Sequence, residues 1–359
     1  MAQILVINAG SSSIKLAVYD QALNRTHTAS IAEIGPDARL THAGQTTQAD
    51  APSQAAALKC LLAVLRPHNI TPDTLTAAGH RVVHGGPNLT APRRLTQDIL
   101  HEIEACARLA PLHNPPALAA IHALATLAPG LPQTASFDTA FHATNPPEAT
   151  RFALPDIAAT AGLRRYGFHG LSYASLTEAL PELTGQPLPR RLLAFHLGNG
   201  ASACAIVNGR SLCTTMGYSP LDGLTMGTRP GSIDPNAVLS LADRIGIEAA
   251  RTLLNNQSGL AGLSGGTSDM RLLLNDRSEK ARFAIDHFCY WAVRHAGSLI
   301  AAMAGLDAIA FTGGIGEHAA PVRQRICDAL AWYRAPVWVI PAAEERQIAA
   351  DALTLLAQN

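Results

Sequence analysis

Net charge is the first thing this sequence lacks: 27 Lys+Arg stand against 27 Asp+Glu in 359 residues. A zero balance gives no global field toward nucleic acid or an anionic membrane, so any anion has to be gripped locally. Lysine itself is scarce, with Lys15, Lys59 and Lys280 the only three, and most positive charge is arginine. The six cysteines, Cys60, Cys106, Cys204, Cys213, Cys289 and Cys327, form no Cys-x-x-Cys pair. Neither a zinc knuckle nor a redox motif is therefore written here, and reduced, buried thiols suit a cytoplasm. No basic region precedes an apolar stretch at the N-terminus, and residues 4–7 are too short for a signal core. The longest apolar tract, 296–311, carries Ser298 and Asp307 and falls short of a membrane span. The expectation is a cytoplasmic protein with neither a nucleic-acid nor a membrane partner.

What is present is apolar material for two cores: 48% of residues are hydrophobic and 15% charged. Residues 3–7 read as a buried strand, 8–13 as a turn of small residues and 14–19 as a returning strand. The unit recurs nearly two hundred residues on: strand 192–196, glycine-rich turn 197–202, strand 203–207, the Asn208-Gly209 hairpin signal and strand 211–216. That spacing is too long for a solenoid and predicts one α/β domain duplicated. Helical periodicity covers 53–65, 97–109, 116–127, 279–303, 321–332 and 344–356, and short buried strands fall at 77–83, 133–137, 308–311 and 337–340. Asn145-Pro146-Pro147 and Pro155 favour a boundary near 140–160. The domains are expected at 1–145, completed by a helix at 345–359, and at 146–344.

Three loops carry small residues where a phosphate could approach the backbone. Asn8-Ala9-Gly10-Ser11-Ser12-Ser13-Ile14-Lys15 adds serine hydroxyls and a lysine. It is not a Walker loop, which ends Gly-Lys-Ser/Thr at a helix start, and a plain hairpin turn is an equal alternative on the residues alone. His196-Leu197-Gly198-Asn199-Gly200-Ala201-Ser202 is its counterpart in the second copy. Phe311-Thr312-Gly313-Gly314-Ile315-Gly316-Glu317 links a strand to a helix without dinucleotide spacing. Polar clusters crowd other turns: Gly79 to Gly86 with Arg81, His80 and His84; Leu112-His113-Asn114; Asp138 after a strand; Phe168-His169; and Met226-Gly227-Thr228-Arg229-Pro230-Gly231. One such histidine alone is more often structural. Their shared position after strands points to a site, because α/β sites form at strand carboxyl ends.

These stretches, in order and across nearly the whole chain, resemble the acetate kinase (acetokinase) family of the acetate and sugar kinase, heat-shock ATPase and actin superfamily. The resemblance implies an α/β fold of duplicated ribonuclease H-like (actin-like ATPase) domains with a nucleotide cleft between two lobes. It implies reversible, magnesium-dependent transfer of the ATP γ-phosphate to acetate, with Mn2+ as a substitute ion and a homodimer as the assembly. Carried over by motif, Arg81, Asp138, His169 and Arg229 are catalytic, and Arg81, Val83, Leu112, His113, Phe168 and Pro220 hold the acyl substrate. Ser11, Ser13, Lys15, His196, Gly198, Asn199, Gly200, Asp269, Met270, Arg271, Gly313, Gly314, Ile315 and Gly316 take the nucleotide. Asn8 and Glu344 bind the metal.

The chain departs from the family pattern in places. It passes from Ala331-Trp332-Tyr333 almost directly to Pro336-Val337, so a strand-and-loop excursion is expected to be missing. Ala342-Ala343-Glu344-Glu345 stands for a Thr-Asn-Glu-Glu stretch, and Met270 and Pro230 replace other residues. A propionate or other short-chain acyl kinase is the nearest alternative, then a sugar or polyol kinase with Asp138 as base. A nucleotide-gated chaperone-like module and an actin-type structural protein come last.

Overall fold

The computed structural model describes residues 2–358, which divide into two units, 2–141 with 343–358 and 142–342. In the first, β1 (Gln3–Ala9) has Ile4 to Ile7 at most 1% exposed. A strand this apolar needs cover on both faces. It pairs antiparallel with β2 (Ile14–Asp20), which continues through β3 (Arg25–Ala32), β4 (Arg39–His42) and β5 (Gln45–Gln48). On its other side β1 runs parallel to β6 (Ala77–Val82), then come β8 (Gln133–Phe137), also parallel, and the two-residue antiparallel edge β7 (Arg93–Arg94). The order is β5-β4-β3-β2-β1-β6-β8-β7.

Helices Gln54–Leu65 and Asn114–Leu127 cover one face, where Leu58, Leu61 and Leu65 share a core with Ala78, Leu5 and Ile7. Ser53 starts the first of them by accepting from the Ala56 N–H, as an N-cap should. The helix Glu344–Ala357 lies on β1, β6 and β8. Because side chains alternate along a strand, Ala78 faces the first core and Gly79 the C-terminal helix. A Cβ on Gly79 would stand 2.7 Å from Ile348 Cγ2 and 3.3 Å from its carbonyl oxygen.

The second unit repeats the pattern. β9 (Arg191–Leu197), β10 (Ala201–Val207) and β11 (Arg210–Thr214) form an antiparallel meander, and β12 (Ala308–Thr312) and β13 (Val337–Val339) run parallel to β9. The order β11-β10-β9-β12-β13 is that of β3-β2-β1-β6-β8 in the first unit, with the same directions. The helix Glu279–Ala302 packs on β9, β10 and β11 through Ala284, Ile285, Phe288, Ala292 and Ala296, an i, i+3, i+4 stripe, and Ser278 caps it. The expected strand at 77–83 stops at Val82, and the helix at 97–109 is α-helical only over Gln97–Ala105. The helix expected at 116–127 begins at Asn114, and that at 321–332 covers Ala320–Ala329 before a 3-10 turn at Ala331–Tyr333.

Gly79→Ala is expected to lower stability by about 1–3 kcal/mol, because a well-packed interface has no room for the methyl group. Thermal denaturation measures it, and an unchanged Tm would mean that the C-terminal helix moves aside freely.

Candidate functional site

In the first unit the turn after β1 is closed by Gly10 N–H donating to the Ser13 carbonyl at 2.8 Å and tied by Gln54 Nε2 to Gly10 O at 2.8 Å. Ser11 is exposed and Ser13 half-buried. β2, not a helix, follows, so any phosphate here meets loop amides and hydroxyls without a helix terminus. Asn8 sits opposite Lys15, whose exposed ammonium has no hydrogen bond or ion pair among the described residues.

Arg81 is the penultimate residue of β6, and Asp138 follows β8 directly. Arg81 Nε donates to Asp138 Oδ1 at 3.0 Å and Nη2 to Oδ2 at 2.6 Å. This side-on fork leaves the Nη1 edge, which makes no hydrogen bond among the described residues. Burial opposes the Arg81 charge, yet the Asp138 carboxylate, with Glu344 and Glu345, outweighs it and holds the guanidinium pKa above its ordinary value. Asp138 is 2% exposed and the Arg81 side chain 24%, so the fork is sheltered while one edge reaches solvent.

Behind Arg81, Asn114 accepts from His84 N–H at 3.1 Å and donates Nδ2 to His84 O at 2.9 Å. Gly85 N–H donates to Thr139 Oγ1, and Gly86 N–H to His84 Nδ1 at 2.9 Å. His84 is thus a buried structural imidazole and Asn114 the anchor of the loop leaving β6, a role the sequence reading gave to neither. Val83 lies one residue past the strand, half-buried; His113 is half-buried and Leu112 is 54% exposed.

In the second unit the turn after β9 is closed by Gly198 N–H to Gly200 O at 3.0 Å. His169 takes a left-handed φ of 60° at the start of helix Gly170–Thr184. Its Nδ1 is 2.9 Å from Ser202 Oγ, which Tyr173 Oη also meets at 2.6 Å. The His196 ring lies 4.1 Å from that of His169, with its Nδ1 2.8 Å from Ser172 Oγ. A Cβ on Gly200 would be 3.0 Å from Arg229 Nη2 and 3.1 Å from His169 Nε2. The loop, the histidine and the arginine therefore converge on one spot, where a side chain at 200 would crowd both.

Arg229 Nη1 donates to the Pro220 carbonyl at 2.6 Å, and burial lowers its pKa. Its loop is fixed by Gly227 N–H to Asn199 O and Leu260 N–H to Met226 O. Phe168 is 1% exposed, a wall more than a contact surface, and Pro220 is half-buried. Gly313, at φ +79°, lets β12 pass into a helix where a Cβ would be 2.8 Å from Leu197 O. Glu317 takes the Gly313 N–H at 3.1 Å and the Ala342 N–H at 3.0 Å. Gly314 is exposed, Ile315 half-buried and Gly316 buried. Asp269 caps the helix Met270–Asn275 and holds Arg271 through both oxygens, which brings its carboxyl down to about 2. Met270 is buried in the core. Ser172 and Tyr173, missed in the sequence, stand three and four residues after His169, the spacing that shares a helix face.

Two α/β units with one shared strand order define a duplicated fold of the actin-like ATPase type. The Acetokinase family model matches residues 3–338. The acetate kinase of Rhodopseudomonas palustris is 44% identical over 344 residues, spanning 92% of this chain and 86% of its own length. That of Nitrobacter hamburgensis is 41% identical over 396 residues, 99% of this chain and 96% of its own. An alignment longer than the 359-residue chain means that this relative carries positions absent here. The crystal structure of Porphyromonas gingivalis acetate kinase superposes with a TM-score of 0.91 at 32% identity, covering 99% of this chain and 100% of that one. A propionate kinase from Francisella tularensis gives 0.91 at 33% identity, covering 98% and 99%. The chain belongs to the acetokinase family.

Burial holds His80 and His84 neutral, with pKa values of about 4 each; a bond between His80 Nε2 and Gln133 Oε1 only partly offsets this for His80. Unfolding returns them to about 6.5, so the unfolded chain binds more protons between pH 4 and 6.5. Stability is then full above pH 6.5 and falls as pH drops toward 4, by up to about 3 kcal/mol for each imidazole. The urea midpoint is expected to decline from pH 7 to 5, and a flat midpoint would show that these imidazoles are not buried neutral.

Proposed function

We propose that this chain is an ATP:acetate phosphotransferase: it moves the ATP γ-phosphoryl group to acetate by direct in-line attack, giving acetyl phosphate and ADP, reversibly and with magnesium. The observation that carries the reading is a fixed guanidinium in each unit of an acetokinase-family chain, Arg81 on Asp138 and Arg229 on the Pro220 carbonyl. Acetate is already ionised at neutral pH and needs no general base. The obstacle is its repulsion from the γ-phosphate, and the two arginines oppose it with forks matched to carboxylate and phosphoryl oxygens. Arg81 presents its Nη1 edge to the acetate, and the acyl substrate is assigned to Val83, Leu112 and His113 of the first unit and to Phe168 and Pro220 of the second. His169 donates to the transferring group beside Gly200. The first lobe supplies Ser11, Ser13 and Lys15 to the phosphates; the second supplies the 196–200 turn, Asp269 to Arg271 and the Gly313 to Gly316 turn.

Magnesium favours hard oxygen ligands and is usually held by one or two carboxylates plus substrate phosphates. The Asp138 carboxylate beside Arg81 and the Glu344 carboxylate at the start of the C-terminal helix are hard oxygen donors that fit that chemistry. Asp138, Asn8 and Glu344 would hold the ion, directly or through water, and it would neutralise phosphate charge; Mn2+ would substitute. No group of three or more His, Cys, Asp or Glu suited to a metal gathers among the described residues. Leu239 and Ile247, 62% and 67% exposed on helices Pro235–Ile245 and Ile247–Asn256, support a homodimer. No described helix is long and apolar enough to cross a membrane; a cytoplasmic location is part of the proposal.

A propionate substrate is the second reading, favoured by the likeness to a propionate kinase. A sugar kinase fits less well, because Arg81 engages both Asp138 oxygens that would have to take a hydroxyl proton. A hydroxamate assay with acetate, propionate, butyrate and glycerol decides: acyl phosphate from acetate is expected, and turnover of glycerol alone would overturn the proposal.

Arg81→Ala and Arg229→Ala are each expected to cut kcat by about two orders of magnitude or more, with incomplete rescue by lysine. A folded variant with near-parent kcat would remove that arginine from the mechanism. Val83→Ala is expected to lower KM for propionate and butyrate relative to acetate, since each added methylene is worth about 0.8 kcal/mol when buried. An unchanged ranking of kcat/KM would show that Val83 does not line the acyl pocket.

A further inference from the structure

His169 presents one ring nitrogen to the turn after β9 and the other to the interior. A Cβ on Gly200 would lie 3.1 Å from its Nε2, and its Nδ1 is 2.9 Å from Ser202 Oγ on β10. Ser202 Oγ is in turn 2.6 Å from Tyr173 Oη, and both of these residues are 0% exposed. The backbone here is fixed as well. The Phe168 carbonyl can only accept, so His142 Nε2 donates to it at 2.9 Å, and the His169 carbonyl accepts from Tyr173 N–H at 3.1 Å. Tyr173 thus reaches His169 twice, directly through its backbone and by way of Ser202 through its hydroxyl.

A neutral imidazole carries one N–H, and the hydrogen bond made at one nitrogen decides which of the two has it. A donor facing Nδ1 leaves the proton on Nε2; an acceptor facing Nδ1 leaves Nε2 a bare lone pair. Acidity sets the direction of the chain. A phenol, with an ordinary pKa of about 10, is a stronger donor than an aliphatic alcohol, and the imidazole lone pair is the best acceptor of the three groups. Tyr173 therefore donates to Ser202, Ser202 donates to His169 Nδ1, and the Nε2–H points at the turn. A bare Nε2 would instead set a lone pair against the oxygens of a phosphoryl group.

We infer that Ser202 and Tyr173 are positioning residues for His169: a hydroxyl chain from Tyr173 through Ser202 fixes the Nε2–H form and the rotation of the ring, so that the imidazole stands ready as a hydrogen-bond donor. This rests on the role of His169 in phosphoryl transfer proposed above. Both residues are fully buried and act only through His169. A donor aimed where charge develops lowers the barrier without tightening the ground state, so its misplacement is read in kcat and not in KM.

The test compares Ser202→Ala, Tyr173→Phe and the double variant with the parent for kcat, KM for acetate and KM for ATP, and repeats Ser202→Ala in a His169→Gln background. Ser202→Ala is expected to cut kcat about tenfold, the scale for an outer partner that orients an imidazole, with both KM values within about twofold. Tyr173→Phe leaves the Ser202 hydroxyl in place and should lose less. The double variant should match Ser202→Ala alone, because the chain runs through one oxygen atom, and Ser202→Ala should cost nothing further in the His169→Gln background. Histidine side-chain nitrogen NMR spectra at about pH 8.5, where an ordinary imidazole is neutral, read the tautomer directly, the His169 signal being the one that His169→Gln removes. The parent should carry the proton on Nε2, and Ser202→Ala should show both forms. A parent ring protonated at Nδ1, a spectrum unchanged by Ser202→Ala, or folded variants with parent kcat would each overturn the inference. So would an equal loss from Ser202→Ala in the His169→Gln background, the mark of a merely structural role. A parent that forms no acyl phosphate would instead count against the proposed function, and the spectra would still decide whether the hydroxyl chain sets the tautomer.

Discussion

The Arg81–Asp138 ion pair is the constraint on which the first unit's chemistry depends. A buried guanidinium costs several kcal/mol in desolvation unless its partner is well placed. Two parallel strands supply the placement, because β6 and β8 are hydrogen-bonded neighbours whose ends bring Arg81 and Asp138 within a bidentate fork. Everything around the pair serves its geometry. Asn114 pins the loop leaving β6, Thr139 holds Gly85, and the C-terminal helix closes the face on which the arginine projects. The arginine is held by one edge and offered by the other.

The second unit solves a similar problem with backbone. Arg229 makes no ion pair with a carboxylate among the described residues; the Pro220 carbonyl fixes one nitrogen, and the surrounding loop is tied to Asn199 and to the helix that begins at Gly259. A carbonyl orients a guanidinium without cancelling its charge. The cost appears as a lowered pKa, the reverse of the shift at Arg81, so one strand order carries two arginines of different electrostatic character.

Much of this was legible in the sequence where the local pattern and the burial agree. The hydrophobic runs at 3–7, 192–196 and 308–311 became central strands, and the glycine-rich turns fell at their ends. Elements that depend on distant partners were not legible. β3 and β5 are polar, β5 fully exposed, so neither periodicity nor apolar content marks them. The helix Gly170–Thr184 is absent from the sequence reading; it contains Gly170 and Pro181, both poor helix formers, and burial of Leu171, Tyr173, Leu176 and Leu180 outweighs their cost. Among site residues, motif matching found the arginines and histidines. It did not find Asn114 or Tyr173, whose roles come from partners 30 and 29 positions away.

The C-terminal helix gives the fold an order in time. During synthesis β1, β6 and β8 emerge early, with the whole of the second unit still to follow before residues 343 onward can cover their open face. Until then Val6 and the neighbours of Gly79 face water, and the Ser136 hydroxyl, which later donates to Asp351 Oδ2, has solvent as its partner. The second unit, continuous from 142 to 342, needs nothing downstream to complete its sheet. A chain whose units mature in the reverse of their order of synthesis departs from the usual N-terminus-first course, and the half that carries Arg81 is finished only after the whole of the second unit has been made.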